Sequence, residues 1–364
     1  MIVMKKYAAI ALCTSAILAG CNSNNTNNEP KKEKTVQEQP KKQVEKVQPQ
    51  GTISWSSITH ESTNTAIHIT DLKDSLTEVQ YKIWRTADGK ESAKLFSSKD
   101  KNKQFAIPFD IKEFDGKRGE YQIEASGLKE GGKSILLTTS TITFQQHVPV
   151  LMYHAIEDYY GQGIKGLFVS PANFEAQMKY LKENGYTLLT FERWNDINKV
   201  NKPILVTFDD GMKNNINAFH ILQKLKDDTF KPTATEYMIV DNIDAEGSLS
   251  TADIKEMVDS GIFSVQSHTA THADLPKITN YEGELKGSKE KLEKITGKPV
   301  IAIAYPFGHV NDKVVEETKK YYQFATTTKP GQFITKGEPD ELLKMKRVRM
   351  HNTTTVEQFA TSIK

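Results

Sequence analysis

From residue 148 to the C-terminus, short apolar runs alternate with longer segments whose apolar positions recur every three to four residues. The runs at 148–153, 186–189, 204–208, 234–240, 262–265, 300–305 and 324–327 have the length and composition of strands. Between them, 171–184, 218–226, 251–260, 284–296 and 312–321 read as helices. The first helix carries its own start signals. Ser170 can cap it, Pro171 sits at the first helical position, and Phe174, Met178 and Leu181 share a face. Strands alternating with amphipathic helices predict an α/β fold of (β/α) barrel type, somewhat short for eight full repeats.

Upstream the period changes to two. Alternating runs recur at 65–69, 79–84, 104–107, 121–125 and 135–144, separated by Asp88-Gly89, Asp115-Gly116 and Gly131-Gly132. Short strands at this spacing predict a small all-β sandwich over residues 51–146, with Trp84 in its core. The start Gly119-Glu120-Tyr121 before an alternating strand resembles an immunoglobulin-like module repeated in some Gram-positive cell-wall proteins. That resemblance implies a role in spacing or in wall binding.

The first 21 residues are not expected to be part of the fold. Lys5 and Lys6 precede an apolar run, 7–19, that is too short for a permanent membrane helix. It closes on Leu18-Ala19-Gly20-Cys21, which resembles a bacterial lipobox. The resemblance implies cleavage before Cys21, its lipidation, and anchoring on the extracellular face of the cell membrane. Cys13 is the only other cysteine and would leave with the signal, so the mature monomer would contain no disulfide. Residues 22–50 have almost no large apolar side chains and are predicted to be a disordered tether.

Charge is close to balance, with 48 basic and 46 acidic residues and a formal net charge of +2. No basic patch is interleaved with aromatics, which argues against a nucleic-acid partner. A monomer is expected.

The candidate chemistry sits at the ends of two predicted strands. Thr207-Phe208-Asp209-Asp210-Gly211 places adjacent carboxylates after an apolar run, where α/β folds carry their chemistry. His268-Thr269-Ala270-Thr271-His272 places two imidazoles four residues apart after another run. Asp-Asp-Gly alone is most often a turn, and two histidines at this spacing are most often surface residues. Together they supply a carboxylate and two imidazoles for a hydrolytic metal site, with a second carboxylate left over as general base.

These residues resemble the polysaccharide deacetylase family, the NodB-homology carbohydrate esterases. Asp209-Asp210 and His268 through His272 match its first two motifs, and Ala304-Tyr305-Pro306-Phe307-Gly308 partly matches its third. Coverage runs over residues 147–364. The resemblance implies a distorted barrel of about seven strands and metal-dependent removal of acetyl groups from N-acetylated sugars in a cell-envelope polysaccharide. It further implies that Asp210, His268 and His272 hold the metal, that Asp209 is the base, and that the Phe307 backbone N–H is an oxyanion donor. Zinc is the default for this ligand set, and cobalt or nickel also fit it.

Two positions depart from the pattern. Ala304 stands where the family has an arginine that orients the base. The proton donor has two candidates. His351, in Arg349-Met350-His351, matches a late motif of the ordinary family; His154, in Leu151-Met152-Tyr153-His154, resembles the permuted subgroup that acts on poly-N-acetylglucosamine. His154 is favoured, and Tyr153 can equally be core packing. Two other functions use the same residues: a weakly catalytic wall-glycan binder, motivated by Ala304, and an O-acetyl esterase.

Overall fold

The computed structural model describes residues 50–364; the predicted signal segment, Cys21 and the tether through residue 49 lie outside the described residues. Strands Thr52–Trp55, Asn64–Thr70 and Ile107–Asp110 form one antiparallel sheet. Lys94–Ser98, Glu78–Arg85, Gly119–Leu128 and Ser134–Phe144 form a second, four-stranded sheet. Strand alternation sends Ile67 and Ile69 of the first sheet and Val79, Tyr81, Ile83, Tyr121 and Ile123 of the second into a shared core.

That same alternation corrects the expectation for Trp84. Tyr81, Ile83 and Arg85 take the buried side, so Trp84 faces outward and is only half-buried, with the Lys90 Nζ 5.1 Å from its ring centre. The buried residue at this strand end is Arg85. Its guanidinium donates to the Arg118 carbonyl at 2.8 Å and to the Val200 carbonyl at 3.3 Å. Gln146 Nε2 likewise donates to the Ile197 and Val200 carbonyls at 2.6 and 3.0 Å. The Glu120 N–H donates to the Asn198 carbonyl at 2.7 Å. The turn 197–201, which feeds the strand ending at the two aspartates, is therefore held by side chains and backbone of the N-terminal sheets.

Seven parallel strands follow in chain order around a closed barrel: Val150–Tyr153, Pro203–Phe208, Ala234–Met238, Phe263–Ser267, Ala302–Ala304, Phe324–Pro330 and Met345–Arg349. Closure is made by the first strand, which pairs with the second (Phe208 opposite Tyr153) and with the last (Arg349 opposite Met152). A short strand, Thr187–Leu189, is added beside the start of Pro203–Phe208.

Outward residues such as Tyr153, Phe208, Val265 and Val348 pack beneath the helices, including Phe174, Met178 and Leu181 of Pro171–Glu183. Ser170 does cap that helix, accepting from the Asn173 N–H at 3.2 Å. Inward residues Val150, Leu205, Tyr237, Ala304 and Met345 belong to an apolar floor. Above that floor the inward residues are polar: Thr207, Thr326 and Arg347 are all fully buried. This layering delivers buried polar groups to the C-terminal mouth of the barrel. Among the described residues, no helix is long and apolar enough to cross a membrane.

Candidate active site

Asp209 continues the inward alternation of Leu205 and Thr207 past the end of its strand. Asp210 does not. It and Gly211 take positive φ, 76° and 68°, turning the chain sharply across the mouth. Gly211 is needed there because a Cβ would lie 2.4 Å from the Met238 Cε. The two neighbouring carboxylates are thus sent to different partners by a single backbone reversal.

His268 similarly continues the inward alternation of its strand after Ser264 and Gln266. The chain between the histidines is a tight turn, not a helix, with Thr269 and His272 both at positive φ. Side chains hold this turn. The His272 N–H donates to Thr269 Oγ1 at 3.0 Å, and the Ala270 and Thr271 N–H groups both donate to Glu284 Oε2 at 3.0 Å. Thr271 Oγ1 adds a 2.6 Å bond to the same carboxylate. Glu284 comes from a π-helical segment, Glu282–Gly287, a rare conformation that is frequent at functional sites.

His268 Nδ1 lies 2.7 Å from the Ala304 carbonyl, which makes Nδ1 the protonated nitrogen and leaves Nε2 as the free donor. His268 Nε2 and His272 Nε2 are 3.5 and 3.7 Å from Asp210 Oδ1. Donor atoms each about 2.1 Å from an ion at tetrahedral angles are separated by roughly 3.4 Å, so this set fits a divalent metal such as zinc. One ligand atom from each of Asp210, His268 and His272 lies within 4.8 Å of the others.

Asp209 stands outside that cluster. Arg347 NH1 and NH2 donate to its two oxygens at 2.6 and 2.7 Å. Two further guanidinium N–H groups donate to the Thr327 carbonyl at 3.0 Å and to Thr207 Oγ1 at 3.2 Å. Burial on its own would raise the Asp209 carboxyl, but the Arg347 charge and hydrogen bonds override it and hold the group well below the usual carboxylate range. The arginine that pairs with Asp209 therefore comes from the last barrel strand, and Ala304 gives the His268 ring its backbone carbonyl. Sequence reasoning passed over Arg347. Its signal was the alternation Met345-Lys346-Arg347-Val348-Arg349, in which Arg347 shares the inward face with Met345.

His154 is the next inward residue after Val150 and Met152. Its Nε2 is 3.9 Å from Asp209 Oδ2, and its buried Nδ1 has no protein partner. Burial lowers its pKa, and the Asp209 and Asp210 carboxylates push back against that. His351, in contrast, is exposed beside Gly166 and does not line the cavity that holds the metal-type cluster. Tyr153 is core: it stacks on Phe208 and donates to Gln177 Oε1 at 2.6 Å.

The cavity has a volume of about 390 Å³, within the range of ligand pockets. Ile164, Leu167 and Phe307 give it apolar walls, and Arg349 and Thr328 also line it. Phe307 takes φ 60° with its ring 4.6 Å from that of His272, and the following Gly308 has no room for a Cβ against Thr328. A second cleft of about 600 Å³ lies between the N-terminal sheets and the starts of the barrel strands, lined by Arg118, Tyr186 and Lys202 among others. It is lined by Pro149 and Pro203, at the opposite ends of the strands that lead to His154 and to Asp209 and Asp210.

Fold and site together define a closed (β/α) barrel with an Asp-His-His cluster of metal-ligand type beside a separate carboxylate held by arginine. The sequence profile of the polysaccharide deacetylase family matches residues 196–323. A crystal structure of a polysaccharide deacetylase from Bacillus cereus is 86% identical, covers 86% of this chain and 100% of its own, and superposes with a TM-score of 0.85. The Streptococcus pyogenes deacetylase PplD, solved in complex with acetate, is 28% identical over 60% of this chain and 99% of its own, with a TM-score of 0.54. The poly-beta-1,6-N-acetyl-D-glucosamine N-deacetylase of Staphylococcus aureus strain MRSA252 is 29% identical over 178 residues, 43% of this chain and 59% of that protein. This chain spans 59% to 65% of the length of the first curated relatives it matches. The chain belongs to the polysaccharide deacetylase family.

Proposed function

We propose that the protein is a metal-dependent deacetylase that removes N-acetyl groups from an N-acetylglucosamine-containing polysaccharide of the cell envelope. One observation carries the reading: the adjacent carboxylates are committed differently, Asp210 to two histidines and Asp209 to Arg347, in one cavity with His154. A metal ligand and a base are thereby separated within two residues.

Asp210, His268 and His272 would hold the ion, zinc by default, which when bound supplies Lewis acidity toward the acetamide carbonyl. Asp209 accepts the proton of the attacking water. Arg347 keeps that carboxylate ionised and fixes its orientation, because both oxygens are engaged in a fork-to-fork pair. Phe307 lines the cavity beside His272, and its N–H would donate to the oxygen that gains charge in the tetrahedral transition state. Expulsion of an amide anion is prohibitive, so the departing nitrogen takes a proton from His154 as the C–N bond breaks. Water adds to the carbonyl carbon, acetate leaves, and the sugar retains a free amine.

The lipobox-like Leu18-Ala19-Gly20-Cys21 supports a lipid anchor at the outer face of the membrane. Tyr121, near the start of its strand, donates to the Lys117 carbonyl four residues upstream, a corner seen in immunoglobulin-type sandwiches. That geometry supports an immunoglobulin-like N-terminal domain.

The test is acetate release from defined N-acetylglucosamine oligomers and polymers, with and without chelator. Release that stops on chelation and returns with zinc, cobalt or nickel is the expected result. Release from O-acetyl esters alone would replace this reading by esterase chemistry at the same residues, and glycan binding without any release would leave a wall-binding protein.

A further inference from the structure

Strand Met345–Arg349 sends alternate residues into the barrel in three layers. Met345 lies in the apolar floor, Arg347 holds Asp209 above it, and Arg349 lines the cavity at the mouth. Arg349 is one of five arginines in the chain. The other four are all engaged: Arg85 and Arg118 by backbone carbonyls, Arg193 by Asp196 and Arg347 by Asp209. Among the described residues the Arg349 guanidinium has neither a hydrogen bond nor an ion pair, and it is exposed to the cavity.

The cavity offers it no carboxylate. Asp209 has both oxygens on Arg347, and Asp210 faces His268 and His272. With a divalent ion on that cluster the mouth becomes net positive even before Arg349 is counted. A planar five-donor fork left open in such a place matches a carboxylate or a phosphate. A neutral polymer of N-acetylglucosamine has no group that requires it, and each deacetylated residue carries an ammonium that a guanidinium repels.

We propose that Arg349 forms an anion subsite beside the reacting sugar, taking a carboxylate or phosphate substituent of the glycan, so that anionic envelope glycans are preferred over neutral ones. The inference rests on the deacetylase reading. Ile164, Leu167 and Phe307 line the same cavity and supply the apolar contacts that any sugar ring needs, neutral or charged. Discrimination by charge then falls to Arg349.

The experiment measures kcat/KM for acetate release on three substrates. They are a neutral N-acetylglucosamine oligomer, a glycan of alternating N-acetylglucosamine and N-acetylmuramic acid with free lactyl carboxylates, and an N-acetylglucosamine glycan bearing phosphate substituents. Wild type, Arg349→Gln and Arg349→Lys are compared, with bound metal measured to show that each variant is folded. Wild type should prefer one anionic substrate, and Arg349→Gln should reduce that preference by about tenfold or more, as expected for a hydrogen-bonded charge. The loss should appear in KM, shrink at high salt, and be partly restored in Arg349→Lys. The anionic substrate that loses its advantage identifies carboxylate or phosphate as the ligand. Equal losses on neutral and anionic glycans, or no loss on either anionic one, would overturn the subsite while leaving deacetylation standing. No acetate from any of the three with metal-loaded wild type would overturn the deacetylase reading itself, and the subsite with it.

Discussion

Arg347, on the last barrel strand, grips both oxygens of Asp209, 138 residues earlier in the chain, at 2.6 and 2.7 Å. Both partners are buried, so neither can turn to water if the other is removed.

Arg347→Met should therefore cost stability as well as turnover. Breaking one side of a buried pair typically costs about 3–5 kcal/mol. The sign of the pH dependence should also reverse. In the native protein the Asp209 pKa is depressed, so its contribution to stability is present above the unfolded value and lost only in strong acid. Without the guanidinium, burial raises that pKa; the contribution is then present below the unfolded value and lost as pH rises through the folded one. Denaturant unfolding from pH 4 to 7 should show the variant losing stability with rising pH relative to wild type. A parallel offset across that range would mean that Asp209 is not the group responsible.

The two aspartates should separate by metal content. Asp210→Ala, His268→Ala or His272→Ala should each remove most bound metal, whereas Asp209→Asn should keep it and lose about two to four orders of magnitude in kcat. Metal analysis beside acetate release decides it. Metal loss in Asp209→Asn would show that the assigned roles are exchanged.

His154→Ala should retain metal and lower turnover strongly, with the alkaline limb of the rate profile abolished, since that limb reports loss of the donor's proton. His351→Ala should have little effect, as the ring lies outside the cavity. An essential His351 with a dispensable His154 would return the chain to the unpermuted arrangement.

Glu284 accepts three bonds from the turn between the histidines, from two N–H groups and one hydroxyl. Glu284→Ala should weaken metal affinity by about 10- to 100-fold, the usual penalty for removing such outer support. Calorimetric titration of the apo protein with zinc measures it. Unchanged affinity would reduce Glu284 to a packing residue.

Cys21→Ala should shift the protein from the membrane fraction to the medium, or leave an uncleaved precursor. Persistent lipid labelling of the variant would rule out Cys21 as the anchor.

How far the sequence reached can be traced through particular residues. The strands ending at Asp209 and His268 were legible because apolar runs and turn residues are local signals. The helix at 171 was legible from Ser170 and Pro171, and it ends at Glu183, one residue short of expectation. Trp84 was misplaced because size suggested burial where the period of two assigns it to the outer face. The strand expected over 300–305 shrank to Ala302–Ala304. Hydrophobicity marks a buried run but not the pairing that sets its ends.

The sequence by itself determined the barrel class and singled out Asp209, Asp210, His268 and His272 as the candidate site, since strand period, turn chemistry and ligand type are properties of a few consecutive residues. Tertiary structure decided what depends on closure. Only when the last strand pairs with the first do Arg347 and Asp209 meet, two strands apart in space, and only then does Ala304 cease to be a missing arginine. It also decided which of His154 and His351 lines the cavity, because which side chain points into the mouth follows from register and face. Those are set by the pairing of distant strands, whose cost and reward no short stretch of sequence contains.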